Sequence, residues 1–244
     1  MKLRTLMWSP LAAIIAASSG VPASAGAQGS RHLAVCRVPR EPLQQSSIPV
    51  ADLAAELRRI LGGNDDPEGR AADATNAVER WRTQYASARG PDLVNALQLV
   101  ASTGLRLDQS AAISLLITRQ LESGYLDRDA FEAAWRSSAS NLRYTMPQAI
   151  ARLSTNRARS MMYLWLCYEL DGLAPVFAAS QPDALALMVD IAPFVEALRI
   201  VARMGSVGDS ILSQLNTSVR GAETEYPGLG FFLLRAWQAA RQSI

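Results

Sequence analysis

Apolar side chains recur every three to four positions along the chain from about residue 50 onward. In the first such segment Leu53, Leu57 and Leu61 lie on one face of a helix, and the Gly62-Gly63 pair ends it. The strict alternation typical of strands is almost absent. The pattern therefore predicts an all-α protein with about eight to ten helices, joined by short turns in an orthogonal or bundle-like array.

Glycine, proline and capping residues mark where these helices begin and end. A polar helix is expected over roughly residues 70–89, and Gly90-Pro91 ends it and starts the next one. A long apolar helix over roughly residues 182–204 contains Pro193, which should kink it or split it. The residues predicted to cap further helices are Asp108, Asp127, Thr145 (in a capping box with Gln148, around Pro147), Asn156 and Ser180.

Residues 1–27 have the order of features that an export signal requires. Two basic residues precede an apolar run over residues 6–17, and helix breakers and small residues follow it. We expect cleavage after Ala25 or Ala27 and a mature protein that is periplasmic or secreted. The alternatives are a disordered, Ala-rich N-terminus and a lipoprotein modified at Cys36.

Composition predicts one folded domain. Of the 244 residues 49% are hydrophobic and 19% are charged, a balance typical of globular proteins. Residues 28–48 are rich in Gly, Pro, Ser and Gln, so we expect a flexible N-terminal arm there. Residues 49–244 contain the helical pattern without a further linker, and we expect them to form a single all-α domain.

The net charge of the mature protein limits which partners it can attract. Cleavage of the signal would remove Lys2 and Arg4, and with them the formal net charge of +2. A near-neutral mature protein has no long-range attraction for nucleic acid, so no nucleic-acid partner is expected. The most apolar long segment is interrupted by Asp190, Glu196 and Arg199, so we expect no transmembrane helix in the mature chain.

Cys36 and Cys167 are the only cysteines. Cys167 lies inside the apolar run 161–168, which predicts the most buried helix of the fold, whereas Cys36 lies in a short extended stretch. Two cysteines in an oxidising compartment most often pair. We therefore predict a disulfide between the arm and this helix, with one buried and one exposed free thiol as the alternative.

Few residues are suited to catalysis. His32 is the only histidine, which excludes or nearly excludes histidine-based triads and His-rich metal sites. The sequence also lacks a Gly-rich phosphate loop and a Gly-x-Ser-x-Gly elbow. We therefore expect no metal and no cofactor. The leading hypothesis is a non-catalytic binding or scaffold protein of the bacterial envelope or exterior, whose partner is an unknown envelope protein or peptidoglycan.

A second hypothesis comes from the order of short motifs over about residues 110–165. Glu122-Ser123 follows a strongly apolar helix, and Met146-Pro147 and Ala151 come next. Asn156, Ser160 and Tyr163-Leu164 stand further along the chain. This order resembles that of the lysozyme-like lytic transglycosylases, which cleave peptidoglycan.

The resemblance implies that Glu122 is a general acid, which protonates the glycosidic oxygen from a partly desolvated cleft. Tyr144 or Tyr163 would then line that cleft. The family's Gly-Ala-x-Gly-Leu-Met-Gln run is replaced by residues 138–144, and its Ala-Tyr-Asn-Ala-Gly motif is missing. The alternative is that Glu122 is a solvated residue at a helix end.

Two further segments are candidate binding surfaces. Arg152, Arg157 and Arg159 stand on either side of a helix start, where they could hold an anionic partner; the alternative is a solvated face with local ion pairs. Residues 229–237 are strongly apolar. They fit a partner-binding or membrane-surface helix, although their periodicity favours a core helix.

Overall fold

The computed structural model describes Cys36 and residues 48–64, 66–127, 140–178 and 184–242. In these ranges it contains nine helices and no strand, so the all-α prediction is confirmed. Four predicted features lie outside the described residues: the signal peptide, the N-terminal arm apart from Cys36 and Ile48, the segment after Asp127 and the cap at Ser180. His32 lies outside them as well.

The helices differ in length and are numbered in chain order. They are α1 (Val50–Leu61), α2 (Pro67–Gln84), α3 (Gly90–Ala101), α4 (Leu107–Glu122), α5 (Ser140–Ile150), α6 (Thr155–Ala178), α7 (Ala184–Arg203), α8 (Ser206–Ala222) and α9 (Leu229–Gln242). No helix among the described residues combines the length and the apolar character needed to cross a bilayer.

The helices pack in two groups that share one core. In the first group α1 packs against α2, α3 and α4, and α2 packs against α4. In the second group α6, α7 and α8 contact one another, and α9 packs on α7 and α8. Helix α5 joins the groups because it contacts α4 as well as α6 and α7. All nine helices contribute buried apolar side chains to one main cluster, and Ala71, Leu115 and Ala149 form a small second one.

Helix α6 passes through the middle of this core. All seven side chains over residues 164–170 are buried, so the helix has no solvent-facing side there. This agrees with the burial expected from the apolar run. Its Cys167 lies fully buried, and the sulphur atoms of Cys167 and Cys36 are 2.01 Å apart, which is disulfide-bonding distance.

Two arginines bring charge into the interior, each with a carboxylate. The side chain of Arg70 is 3% exposed, and its Nη1 lies 2.8 Å from Asp108 Oδ2. The same nitrogen donates a hydrogen bond to the carbonyl oxygen of Leu61 over 2.9 Å. Arg143 of α5 forms an ion pair with the fully buried Glu169 of α6. Because a buried charge is costly without a partner, these pairs hold neighbouring helices in register.

Two predicted caps are wrong by one residue or more. Helix α4 begins at Leu107 after Arg106, whose backbone is extended, so Asp108 lies within the first turn and is not the cap. Helix α6 begins at Thr155, which places Asn156 inside it as well. In both cases the short polar side chain is the second residue of the helix, two positions after the residue that precedes the helix, and backbone conformation decides where the helix begins.

The capping box at Thr145 is also wrong. Helix α5 already begins at Ser140, so Thr145 and Pro147 lie within it. Thr145 is buried, and its hydroxyl oxygen lies 2.7 Å from that of Ser114 on α4, with which it shares a hydrogen bond. A buried hydroxyl needs a partner, and the neighbouring helix supplies one here in place of the backbone of a helix start.

One helix ends earlier than expected, and another continues past a proline. Helix α2 ends at Gln84 rather than near residue 89, because Tyr85 leaves the helical conformation and the chain turns there. Helix α7 runs through Pro193 without being split in two. The proline removes its own N–H donor and its ring crowds the preceding turn, but the packing of α7 on four neighbouring helices holds the helix together.

Candidate functional site

Glu122 is the last residue of α4, and its carboxylate contacts the start of α6. Its Oε1 accepts a hydrogen bond of 2.8 Å from the backbone N–H of Ser154, the residue directly before α6. The first N–H groups of a helix have no partner within the helix, and the helix dipole makes this end positive. The Glu122 carboxylate therefore joins the end of one helix to the beginning of another.

An open hollow of about 520 Å³ lies beside this junction. Glu122 is exposed at its edge, so solvent reaches the carboxylate. The hollow offers one carboxylate, one guanidinium, an amide and two hydroxyl groups, which suits a polar ligand. Its lining residues are Glu122, Ser154, Asn156, Arg157, Ser160 and Met161.

The two tyrosines that the resemblance places in a cleft lie elsewhere. The hydroxyl of Tyr163 lies 2.8 Å from that of Ser218, and this hydrogen bond joins α6 to α8. Tyr144 is half-buried on α5. Neither residue lines the hollow that contains Glu122. Of the residues that the motif order groups together, the structure brings Glu122, Asn156 and Ser160 to one place.

The three clustered arginines have different surroundings. Arg152 forms an ion pair with Glu68 of α2, whose other oxygen is 3.1 Å from Arg119 Nη2 on α4. Arg157 lines the hollow, and Arg159 is exposed. Neither Arg157 nor Arg159 forms an ion pair with a carboxylate of the described residues.

A second hollow, of about 500 Å³, lies where the end of α2 meets the start of α3. The guanidinium of Arg82 stands 4.1 Å from the ring centre of Tyr125, and the Tyr125 hydroxyl donates a 2.8 Å hydrogen bond to the carbonyl of Arg89. Burial is the main cause that raises the pKa of Tyr125 to about 12, so the phenol stays neutral. The sequence carried no signal for this hollow, because Tyr125 lies in a turn far along the chain from Arg82.

No protein-family model matches the chain, and comparison with curated proteins and with solved structures found no match. The likeness to lytic transglycosylases therefore has only its short motifs to support it. In the described part of the chain no group of three His, Cys, Asp or Glu residues is placed to hold a metal ion.

Proposed function

We propose that the mature protein is an exported, non-catalytic helical binding or scaffold protein of the bacterial envelope or exterior. Residues 1–27 support export, since they combine a basic start, an apolar run and small residues before Ala25 and Ala27. The closeness of Cys36 to Cys167 fits a disulfide formed in an oxidising compartment.

The surroundings of Glu122 are the observation that carries the non-catalytic proposal. A general acid of a glycosidase donates its proton from a partly desolvated cleft. Glu122 is solvent-exposed, stands at an open hollow and accepts a backbone N–H bond from Ser154. These contacts are those of a helix-capping carboxylate, which stabilises the junction between α4 and α6.

A divergent peptidoglycan-cleaving enzyme remains the second candidate. In its favour, the hollow lies directly beside Glu122 and is also lined by Asn156 and Ser160, two residues of the motif order. In that case Glu122 would be the general acid and Arg157 would bind an anionic part of the substrate. The two candidates make opposite predictions for one assay.

The assay incubates purified mature protein with peptidoglycan and measures soluble muropeptides. We expect no release by the wild-type protein, by Glu122→Gln, or by the control Glu56→Gln. Glu56 suits this control because it is a carboxylate on α1 that forms an ion pair with Arg80, away from the hollow. Release by the wild type and by Glu56→Gln, but not by Glu122→Gln, would overturn the proposal and establish the enzyme.

Alanine variants at the same two positions test the capping role. Glu122→Ala removes the acceptor for the Ser154 N–H, and loss of a helix N-terminal acceptor typically costs about 0.5–2 kcal/mol of unfolding free energy. Glu56→Ala breaks a surface ion pair, whose loss typically costs at most about 1 kcal/mol. Thermal melting of both variants compares the two losses, and equal or smaller destabilisation by Glu122→Ala would argue against the cap.

A further inference from the structure

Helix α9 has one face in the core and one face in solvent. Leu229, Leu233, Ala236 and Ala240 are buried, at the i, i+4, i+7 and i+11 spacing of a single helical face. On the other side Phe231 is 69% exposed and Leu234 is 52% exposed. Burial of the inner face therefore explains only part of the apolar character of this helix.

Basic residues follow the exposed apolar residues along the same side of the helix. Phe231, Leu234, Arg235, Gln238 and Arg241 follow one another at the spacing of one helical face, and all five are exposed. The guanidinium of Arg235 lies 5.9 Å from the ring centre of Phe231. We call these five residues the outer face of α9.

The outer face carries positive charge without acidic residues. Helix α9 contains no Asp or Glu, and neither Arg235 nor Arg241 forms an ion pair with a described carboxylate. Both acids that closely precede the helix have hydrogen-bond partners. The two oxygens of Glu223 each accept a 2.8 Å hydrogen bond, from the N–H groups of Gly228 and Gly230. Glu225 accepts a hydrogen bond from the Tyr226 hydroxyl.

The shape and charge of this face favour a lipid surface over a protein. A single exposed helix is convex, so a protein partner would need a matching groove, whereas a fluid lipid interface adapts to it. A second copy packed on the same face would gather four arginines there without an acidic residue of α9 to offset them, so the positive charges would repel. Aromatic and aliphatic side chains beside arginine are typical of helices that lie in the interface of anionic membranes.

We propose that the outer face of α9 docks the mature protein on an anionic phospholipid surface. Phe231 and Leu234 enter the boundary between headgroups and acyl chains, and Arg235 and Arg241 contact the phosphate groups. This inference rests on the proposed function, since it names the partner of an exported binding protein. Two apolar side chains and two charges give reversible binding rather than permanent insertion.

The test uses the mature protein and sedimentation with large vesicles of phosphatidylcholine, with or without an equal share of phosphatidylglycerol. We expect binding to the mixed vesicles and at least tenfold weaker binding to pure phosphatidylcholine. The double variant Phe231→Ser, Leu234→Ser should lose at least tenfold in binding to the mixed vesicles. Arg235→Gln with Arg241→Gln should reduce binding to the level seen with phosphatidylcholine alone.

A matched control distinguishes binding through the outer face from nonspecific binding through any exposed apolar side chain. Leu107 on α4 is 59% exposed, and Leu107→Ser should bind like the wild type. Circular dichroism melting checks that every variant is folded, which we expect because the changed side chains face solvent.

Three vesicle-binding results would each overturn the inference: no wild-type binding to mixed vesicles, equal binding to both vesicle types, or full binding by the Phe231→Ser, Leu234→Ser variant. A wild-type dimer that this variant converts to a monomer would also overturn it, in favour of self-association. The muropeptide assay is independent. Failure of vesicle binding without muropeptide release would leave the proposed function standing, whereas muropeptide release would remove it whatever the vesicles show.

Discussion

At the scale of single residues, Asp108 connects the ends of three helices. Its carboxylate accepts hydrogen bonds from Arg106 and pairs with Arg70, which in turn bonds to the last carbonyl of α1. The Arg106 hydrogen bond is the largest cause that lowers the pKa of Asp108 from 3.8 to about 2; Arg70 adds to it and burial opposes it.

This shift predicts a pH dependence of stability. A carboxyl group with a lowered pKa in the folded state stabilises the fold above its ordinary pKa, and this contribution disappears as pH falls through the folded value. Thermal melts of the wild type and Asp108→Asn should differ by a constant amount above pH 3.8, and the difference should shrink as pH falls toward about 2. A difference that stays constant over this range would contradict the interpretation.

At the scale of elements, Gly208 sets how closely α8 approaches α7. A Cβ atom at this position would lie 2.0 Å from the carbonyl oxygen of Val201, which belongs to the backbone of α7. Real Cβ atoms do not come so close to backbone, and the backbone cannot rotate away as a side chain can. The contact between these two helices therefore needs a residue without a side chain.

Gly208→Ala should destabilise the protein even though alanine is the better helix former. Forcing extra volume into a packed contact typically costs about 1–3 kcal/mol, more than the gain of about 1 kcal/mol from helix propensity. Gly221→Ala is the control. Gly221 lies in the same helix, and a Cβ atom at this position would have no neighbouring atom within 4 Å. Chemical denaturation should show a loss for Gly208→Ala and a gain of up to about 1 kcal/mol for Gly221→Ala.

At the scale of the whole molecule, Cys36 and Cys167 of the central helix lie at disulfide-bonding distance. They are separated by 131 residues, so a bond between them closes a loop over half of the chain. In the chain-entropy account such a loop stabilises the folded state by up to about 5 kcal/mol, mainly by restricting the unfolded chain.

We predict that the denatured, unreduced protein has no reactive thiol and that reduction exposes two. Reduction and Cys36→Ser should lower the denaturation midpoint by the same amount, because each removes the same link. A thiol assay in denaturant and a denaturation curve in the presence of reductant give both results. Two reactive thiols without reductant would mean that the cysteines do not pair.

The periodicity of the sequence predicts the fold class correctly, but it predicts the ends of the helices less accurately. The apolar run over residues 161–168 predicted the buried α6 correctly, because burial on all sides needs apolar residues on all sides. Thr145 had the pattern of a capping residue, yet its hydroxyl bonds to Ser114 inside the core. A local pattern cannot anticipate a partner that another helix supplies.

The candidate site shows the same division. Its place after an apolar helix marks Glu122 as a candidate site residue in the sequence. Nothing in the sequence marks its neighbour Ser154, because no local signal says that the end of α4 meets the start of α6. Likewise the run at residues 229–237 was apolar enough for a core helix or a surface helix. The structure shows that one side of α9 faces the core and another faces solvent, with Leu233 buried and Phe231 exposed.

The sequence by itself determined that this protein is built from helices and where its apolar mass lies, since both follow from the spacing of side chains along a chain of fixed helical geometry. Only the tertiary structure decided which residues meet: Glu122 with Ser154, Asp108 with Arg70, and Phe231 with solvent. Such contacts join residues distant in sequence, and they depend on how whole helices pack rather than on any short stretch of chain.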